Sequence, residues 1–123
     1  MSVRKDLEAQ MSTDWAAIPA LSKFHVRATE KALDDIRKPT ALIRQQSIAV
    51  SKAAPVSHSD VGILVTLISH FQDPDMAADA LEDAVPAALE YYRTHYVQTE
   101  TATAVAYANR SAYDIPVTVI AHN

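Results

Sequence analysis

The side chains of this chain best suited to hold a metal or move a proton are five histidines, His25, His58, His70, His95 and His122, and the acids of DPDMAADALEDA. A metal site on a helix takes two ligands one turn apart. No histidine has a second histidine or a matching carboxylate at that spacing on a predicted helix. His70 and Asp73 are the nearest pair, and Asp73 is better explained as a helix cap. A carboxylate pair working as acid and base needs one member in an apolar pocket that raises its pKa. Asp75, Asp79, Glu82 and Asp83 instead fall opposite Leu81 and Val85, on the solvated side of an amphipathic helix. Ser57, His58 and Asp60 are the residue types of a hydrolytic triad, but they crowd into one loop, whereas triads are assembled from separated segments; the spacing predicts a polar turn. With Gly62 as the single glycine there is no phosphate-cradling loop, serine elbow or dinucleotide fingerprint. With no cysteine there is no thiolate nucleophile and no disulfide. The expectation is a protein that is not an enzyme and takes neither metal nor cofactor.

The elements that position these residues follow from periodicity. Val3, Leu7 and Met11, continued by Trp15 and Ile18, recur at helical spacing and predict an amphipathic helix over 2–17, capped by Ser2 and ended by Pro19. KFHVRAT alternates, with Phe24, Val26 and Ala28 on one side, as a half-buried strand does. EKALDDIRKP is ambiguous, readable as one helical turn that tucks in Leu33 and Ile36. TALIRQQSIAVS is a strand with apolar ends and a polar middle. DVGILVTLISHF is apolar on both faces, Val61, Ile63, Val65, Leu67 and Phe71 against Leu64 and Ile68, and is the candidate central strand.

A second helix opens at Asp73 as N-cap, with Pro74 in the first turn and Asp75 at the favourable end of the dipole. Its stripe is Ala77, Leu81, Ala84, Val85, Ala88, Leu89 and Tyr92; Pro86 predicts a kink or two shorter helices. Tyr92 belongs to the core and Tyr91 to a surface or interface. TATAVAYAN and AYDIPVTVIA read as a closing hairpin around Asn109, Arg110 and Ser111. The methyl face of Ala102, Ala104, Ala106 and Ala108 lets a helix lie close. The last strand buries Tyr113, Ile115, Val117 and Val119, and Pro116 places it at an edge or a bulge. Together these define a single α+β domain over 1–123: a mostly antiparallel sheet of four to five strands, flanked by two main helices, in the order α-β-β-β-α-β-β.

The length of 123 residues suits one core, and 49% hydrophobic against 21% charged residues excludes a disordered chain. A formal charge of −4 with scattered basic residues argues against binding a nucleic-acid backbone. MSVRKDLEAQM has no apolar run after its basic residues, so no secretory signal is expected, and Val61 to Ile68 is too short to span a bilayer. The polar centre of the second strand, Arg44, Gln45, Gln46 and Ser47, fits either an exposed edge blunted by Arg44, Lys38 and Pro39 or a long hairpin projecting past the helices, with SKAAPVSHS as its tip. Ordering such an arm is costly unless another chain receives it, which favours an assembly protein.

The succession VRKDLEAQM, FHVRAT, LDDIRKPTALIRQQSI, DMAADALEDAVPAALEYY and AYDIPVTVIA resembles the tail terminator proteins of long-tailed, siphovirus-type bacteriophages, particularly those of actinobacteria, over almost the full length. DIRKPTALIRQ and YDIPVTVIA carry it most strongly. The resemblance implies a virion protein of the tail and neck, assembled in the host cytoplasm. It implies a homohexameric ring that closes the tail tube, stops its polymerisation and docks the head-tail connector. The implied partners are copies of itself, the major tail (tube) protein and that connector. Genomic DNA passes through the lumen without specific binding, and no membrane is involved. Six copies at −4 each carry about −24, and whatever part of it lines the lumen would repel passing DNA. Subunit or tube contacts are expected at Arg37, Lys38, Arg44, Gln45, Gln46, Ser57 and His58. A head-tail joining protein or other neck or tube component is the alternative, followed by a small-ligand binding module.

Overall fold

The computed structural model describes residues 3–31, 36–50, 58–95, 98–107 and 109–122. Helix α1 (Val3–Trp15) buries Leu7, Met11 and Trp15, the apolar spacing read from the sequence. Strand β1 (His25–Ala28) follows, burying Val26, and then β2 (Thr40–Val50) and β3 (His58–Ile68). Helix α2 (Pro74–Thr94) starts as expected: the Asp73 side chain accepts the Asp75 N–H at 2.9 Å. It runs through Pro86 as one helix, which corrects the alternative of two shorter ones. Pro86 is exposed, so the Glu82 carbonyl left without its helical donor lies on the wet side, where water can serve it. Strands β4 (Gln98–Thr99), β5 (Thr103–Tyr107) and β6 (Arg110–His122) complete the chain. Ser2, Leu33, residues 51–57 of the expected tip SKAAPVSHS and Ala108 lie outside the described residues, while His58, Ser59 and Asp60, expected in the tip or a polar turn, belong to β3.

The sheet has six strands in the order β1-β2-β3-β6-β4, with β5 also on β6. β1 runs parallel to β2 and every other pairing is antiparallel. The additional strand is β4, whose two residues are too short to show a period. Both helices cover one face of the sheet. There Leu7, Met11, Trp15, Leu81, Ala88 and Tyr92 meet Ile43, Val61, Ile63, Val65, Leu67, Ile115 and Val117 in one core. On the other face a smaller cluster joins Ile36, Leu42, Ile68 and Ala112, with Val105 and Tyr107 packed on it. β3 thus buries residues on both faces and lies between β2 and β6, the central position its composition predicts.

Three expectations are corrected. Pro116 lies inside the sheet, opposite Leu64 of β3, and not at its edge. Its carbonyl accepts the Glu100 N–H at 3.1 Å. The N–H and C=O of an extended residue point the same way, so the donor that proline lacks faces the seam between β4 and β5, where the ladder is interrupted. The one bond forfeited is the return bond to Glu100, at the point where the β4 ladder ends. Next, Ala104 and Ala106 are exposed, and β5 packs through Val105 and Tyr107 on the face away from the helices. Of the methyl row, Ala104 and Ala106 therefore lie under no helix, while Ala102, just before β5, packs at the margin of the helix-side core. Finally, Tyr91 is buried. Its ring meets Trp15 edge to face at 6.0 Å, and its hydroxyl donates to Asp14 at 2.8 Å.

β2 and β3 continue beyond the stretch where β1 accompanies them, and β6 extends alongside β3 to the pair His58↔His122. The turn from β5 into β6 is tighter than expected: Tyr107 pairs with Arg110, and Asn109 takes a φ of 64°. Asn tolerates that left-handed conformation, and a two-residue hairpin loop needs it. Arg110 and Ser111 are already strand.

Candidate functional site

The residues singled out for chemistry are spread over the molecule. Asp75, Asp79, Glu82 and Asp83 are exposed along α2, and Asp73 is occupied as a cap. Among the described residues no group of three or more histidines or acids could hold a metal. His95 and Asp14 approach to 3.6 Å, where the ends of the two helices meet. There burial, and after it the hydrogen bond to Asp14 and the charge of Asp14, push the Tyr91 phenol well above its usual range. Burial raises that of Tyr92 likewise. A phenol so reluctant to ionise makes a poor general base; this cluster fastens α1 to α2.

The polar centre of β2 divides by orientation. Arg44 is half-buried on the sheet face away from the helices, where its Nη2 donates to Thr66 Oγ1 at 3.1 Å. Thr66 Oγ1 donates in turn to Asp114 Oδ1 at 2.7 Å, and the guanidinium lies 5.6 Å from the Tyr107 ring centre. One relay thus ties β2, β3 and β6 together across the sheet. Thr66 is fully buried and Asp114 partly so, which makes the bonds worth more than exposed ones. Arg44 is therefore built into the sheet and does not blunt an edge. Thr66 and Asp114 carried a signal that sequence reading missed: each is a polar residue inside an otherwise apolar strand.

Gln45 and Gln46 are exposed, and the register shifts between Gln45 and Ser47, so that Gln46 forms a bulge. Two carboxylates cover the outer edge up to this point. Glu8 of α1 accepts the Ala28 N–H, and Glu30 accepts the Gln45 N–H at 3.1 Å. Beyond Gln45 no strand among the described residues pairs with the outer side of β2, and Ile48 there is 62% exposed. β5 has β6 on one side and, among the described residues, no strand on the other. Of the remaining expected contact residues, Arg37 and Lys38 are exposed just before β2, Ser57 lies outside the described residues, and His58 opens β3.

Two concavities lie away from this edge. One, of about 560 Å³, is rimmed by Lys23, Arg37, Lys38 and Asp83, with Phe24, Phe71 and Leu81 among its apolar walls. The other is an open groove of about 890 Å³ between the second half of α2 and β4, bounded by Pro86, Arg93 and Glu100. Among the described residues no helix is long and apolar enough to cross a membrane. Set against known proteins, the sequence matches no protein-family model and no curated protein.

Proposed function

We propose that this chain is a structural subunit that works by contact with copies of itself and with neighbouring proteins, making and breaking no bond. Its proposed place is the head-proximal end of a siphovirus-type tail tube. There a ring of copies, six by the resemblance, stops tube growth and docks the head-tail connector, while DNA passes through without specific binding. The observation that carries this reading is the outer stretch of β2. It runs on past its neighbour β1, uncapped by the carboxylates that cover the lower edge, and holds a large apolar side chain, Ile48, in solvent. A strand edge of this kind is a template for another chain, and a monomer gains nothing by keeping it. The resemblance of DIRKPTALIRQ and YDIPVTVIA supports the particular assembly.

The test adds purified protein to growing tail tubes made without their own terminator. The expected result in electron micrographs is tubes of arrested length with a ring of added density at one end. Tubes that lengthen by incorporating the protein would identify a tube component, and density joined only to heads a head-tail joining protein. Tubes left bare would overturn the terminator reading.

The cleft rimmed by Lys23, Arg37 and Lys38 favours a second reading, a binding module for a small anion. It requires a monomer or dimer that takes up one anion per chain in equilibrium dialysis at moderate salt.

A further inference from the structure

The two sides of the sheet are finished differently, and the backbone pattern shows which groups are left over. In an antiparallel ladder each residue points both its N–H and its C=O to one neighbour, and the next residue points them to the other. The Pro116 carbonyl faces the β4 and β5 side, because it accepts from Glu100. Asp114, Ala112 and Arg110 follow by alternation. Their partners Thr103, Val105 and Tyr107 therefore point inward to β6. Ala104 and Ala106 are left with their backbone groups directed outward, on an edge that no strand among the described residues covers.

The same alternation, carried across β3, directs Leu64, Gly62 and Asp60 toward β2; the Ser69 N–H, which donates to the Ser111 carbonyl, fixes the opposite phase toward β6. Ser47 and Ala49 pair with Gly62 and Asp60. The backbone groups of Ile48 and Val50 therefore point outward, past the end of β1. Natural edges are guarded by charge, proline or a covering segment. Here the guarded part is the lower edge, capped by Glu8 and Glu30. Neither QQSIAV nor TATAVAY contains a charged residue or a proline.

We propose that these two edges pair with each other between copies: β5 of one subunit, through Ala104 and Ala106, adds to the outer edge of β2 of the next, through Ile48 and Val50. An extended backbone is what unpaired alternating donors and acceptors select. A second copy is the occupant because the described residues present a neutral edge on each side of the same sheet, so that a head-to-tail contact satisfies both. The exposed methyls of Ala104 and Ala106 leave room for the large Ile48 side chain of the neighbour. This pairing rests on the self-assembly reading above and names its surfaces; it does not depend on where in a virion the ring sits.

The absence of cysteine in the chain makes a clean test available. Residues facing each other across a ladder lie about 5.5 Å apart, within disulfide reach. Ile48→Cys protein is mixed at high concentration with Ala104→Cys or Ala106→Cys protein under mild oxidation. A cross-linked dimer is expected in at least one mixture and in none of the single variants. In parallel, Ala106→Pro removes an outward N–H that no described strand uses. It should lower the self-association constant at least about tenfold in sedimentation equilibrium, with the urea midpoint of the monomer unchanged. Val105→Pro removes an inward N–H and should destabilise the monomer itself.

Cross-links within a single variant, none in either mixture, or self-association by Ala106→Pro equal to that of the parent would each overturn the pairing. Tube capping by the parent protein despite such a result would leave the terminator reading standing. Mixed cross-links without any capping would sink that reading and keep the pairing.

Discussion

Arg44 shows how far one side chain's meaning depends on what crosses its strand. Its place in the run RQQS marks it as a solvent-facing guard, yet the register sets it diagonally beside Thr66, whose hydroxyl passes the contact on to Asp114. Arg44→Ala is therefore expected to cost about 1–2 kcal/mol in urea unfolding, and Thr66→Val about 1–3 kcal/mol, since each strands a buried or half-buried polar partner. Gln46→Ala should stay within about 0.5 kcal/mol of the parent, as exposed positions do. Equal effects for Arg44 and Gln46 would show that the relay contributes nothing. The two phenols give a pH dependence of known sign. Both are held above their ordinary value near 10 in the folded state, so the native protein keeps these protons more tightly than the unfolded chain. Their contribution is fully present below about pH 10 and is lost as the pH rises through the folded values. Urea midpoints should fall from pH 10 upward, and the double variant Tyr91→Phe, Tyr92→Phe should flatten that fall.

At the scale of the element, local chemistry and tertiary context can be separated. Both helices were legible because their apolar spacing and the Asp73–Pro74 start are local signals. β3 was legible because burial on two faces leaves an apolar run. Pro116 was misplaced for a physical reason. A proline is tolerated inside a sheet where the ladder it would have joined already ends, so that a single bond is lost, and the break between β4 and β5 cannot be seen in the sequence of β6. The methyl face of β5 was assigned to the helices because alanine is small enough to lie under one, while Tyr107 and Val105 supplied the stronger apolar surface on the other side. Two measurements follow for α2. Leu81→Ala should cost about 2–5 kcal/mol, since Leu81 is fully buried in the main core. Asp73→Ala should cost about 1 kcal/mol through the lost cap, with Asp73→Asn restoring most of it. An Asp73→Asn loss as large as that of Asp73→Ala would instead assign the effect to charge.

For the whole molecule, the sequence carried the α+β class and the order of the elements, because each rests on patterns within a few residues. It carried neither the parallel pairing of β1 with β2 nor the outward phase of Ala104 and Ala106, since both depend on which strands become neighbours. The contact residues named from the sequence were those with conspicuous side chains. A backbone edge has no such marker: its signal is only the lack of charge and proline in TATAVAY and QQSIAV. The extra residue at Gln46 adds a geometric consequence. Deleting it would leave Gln45 opposite Ile63 and Ser47 opposite Gly62, the partners they have now, yet would relax the local twist that a bulge imposes. A strand offered to a neighbour at an altered angle sums over successive copies to a different curvature. The arc would then close at another number, or wind into an open spiral.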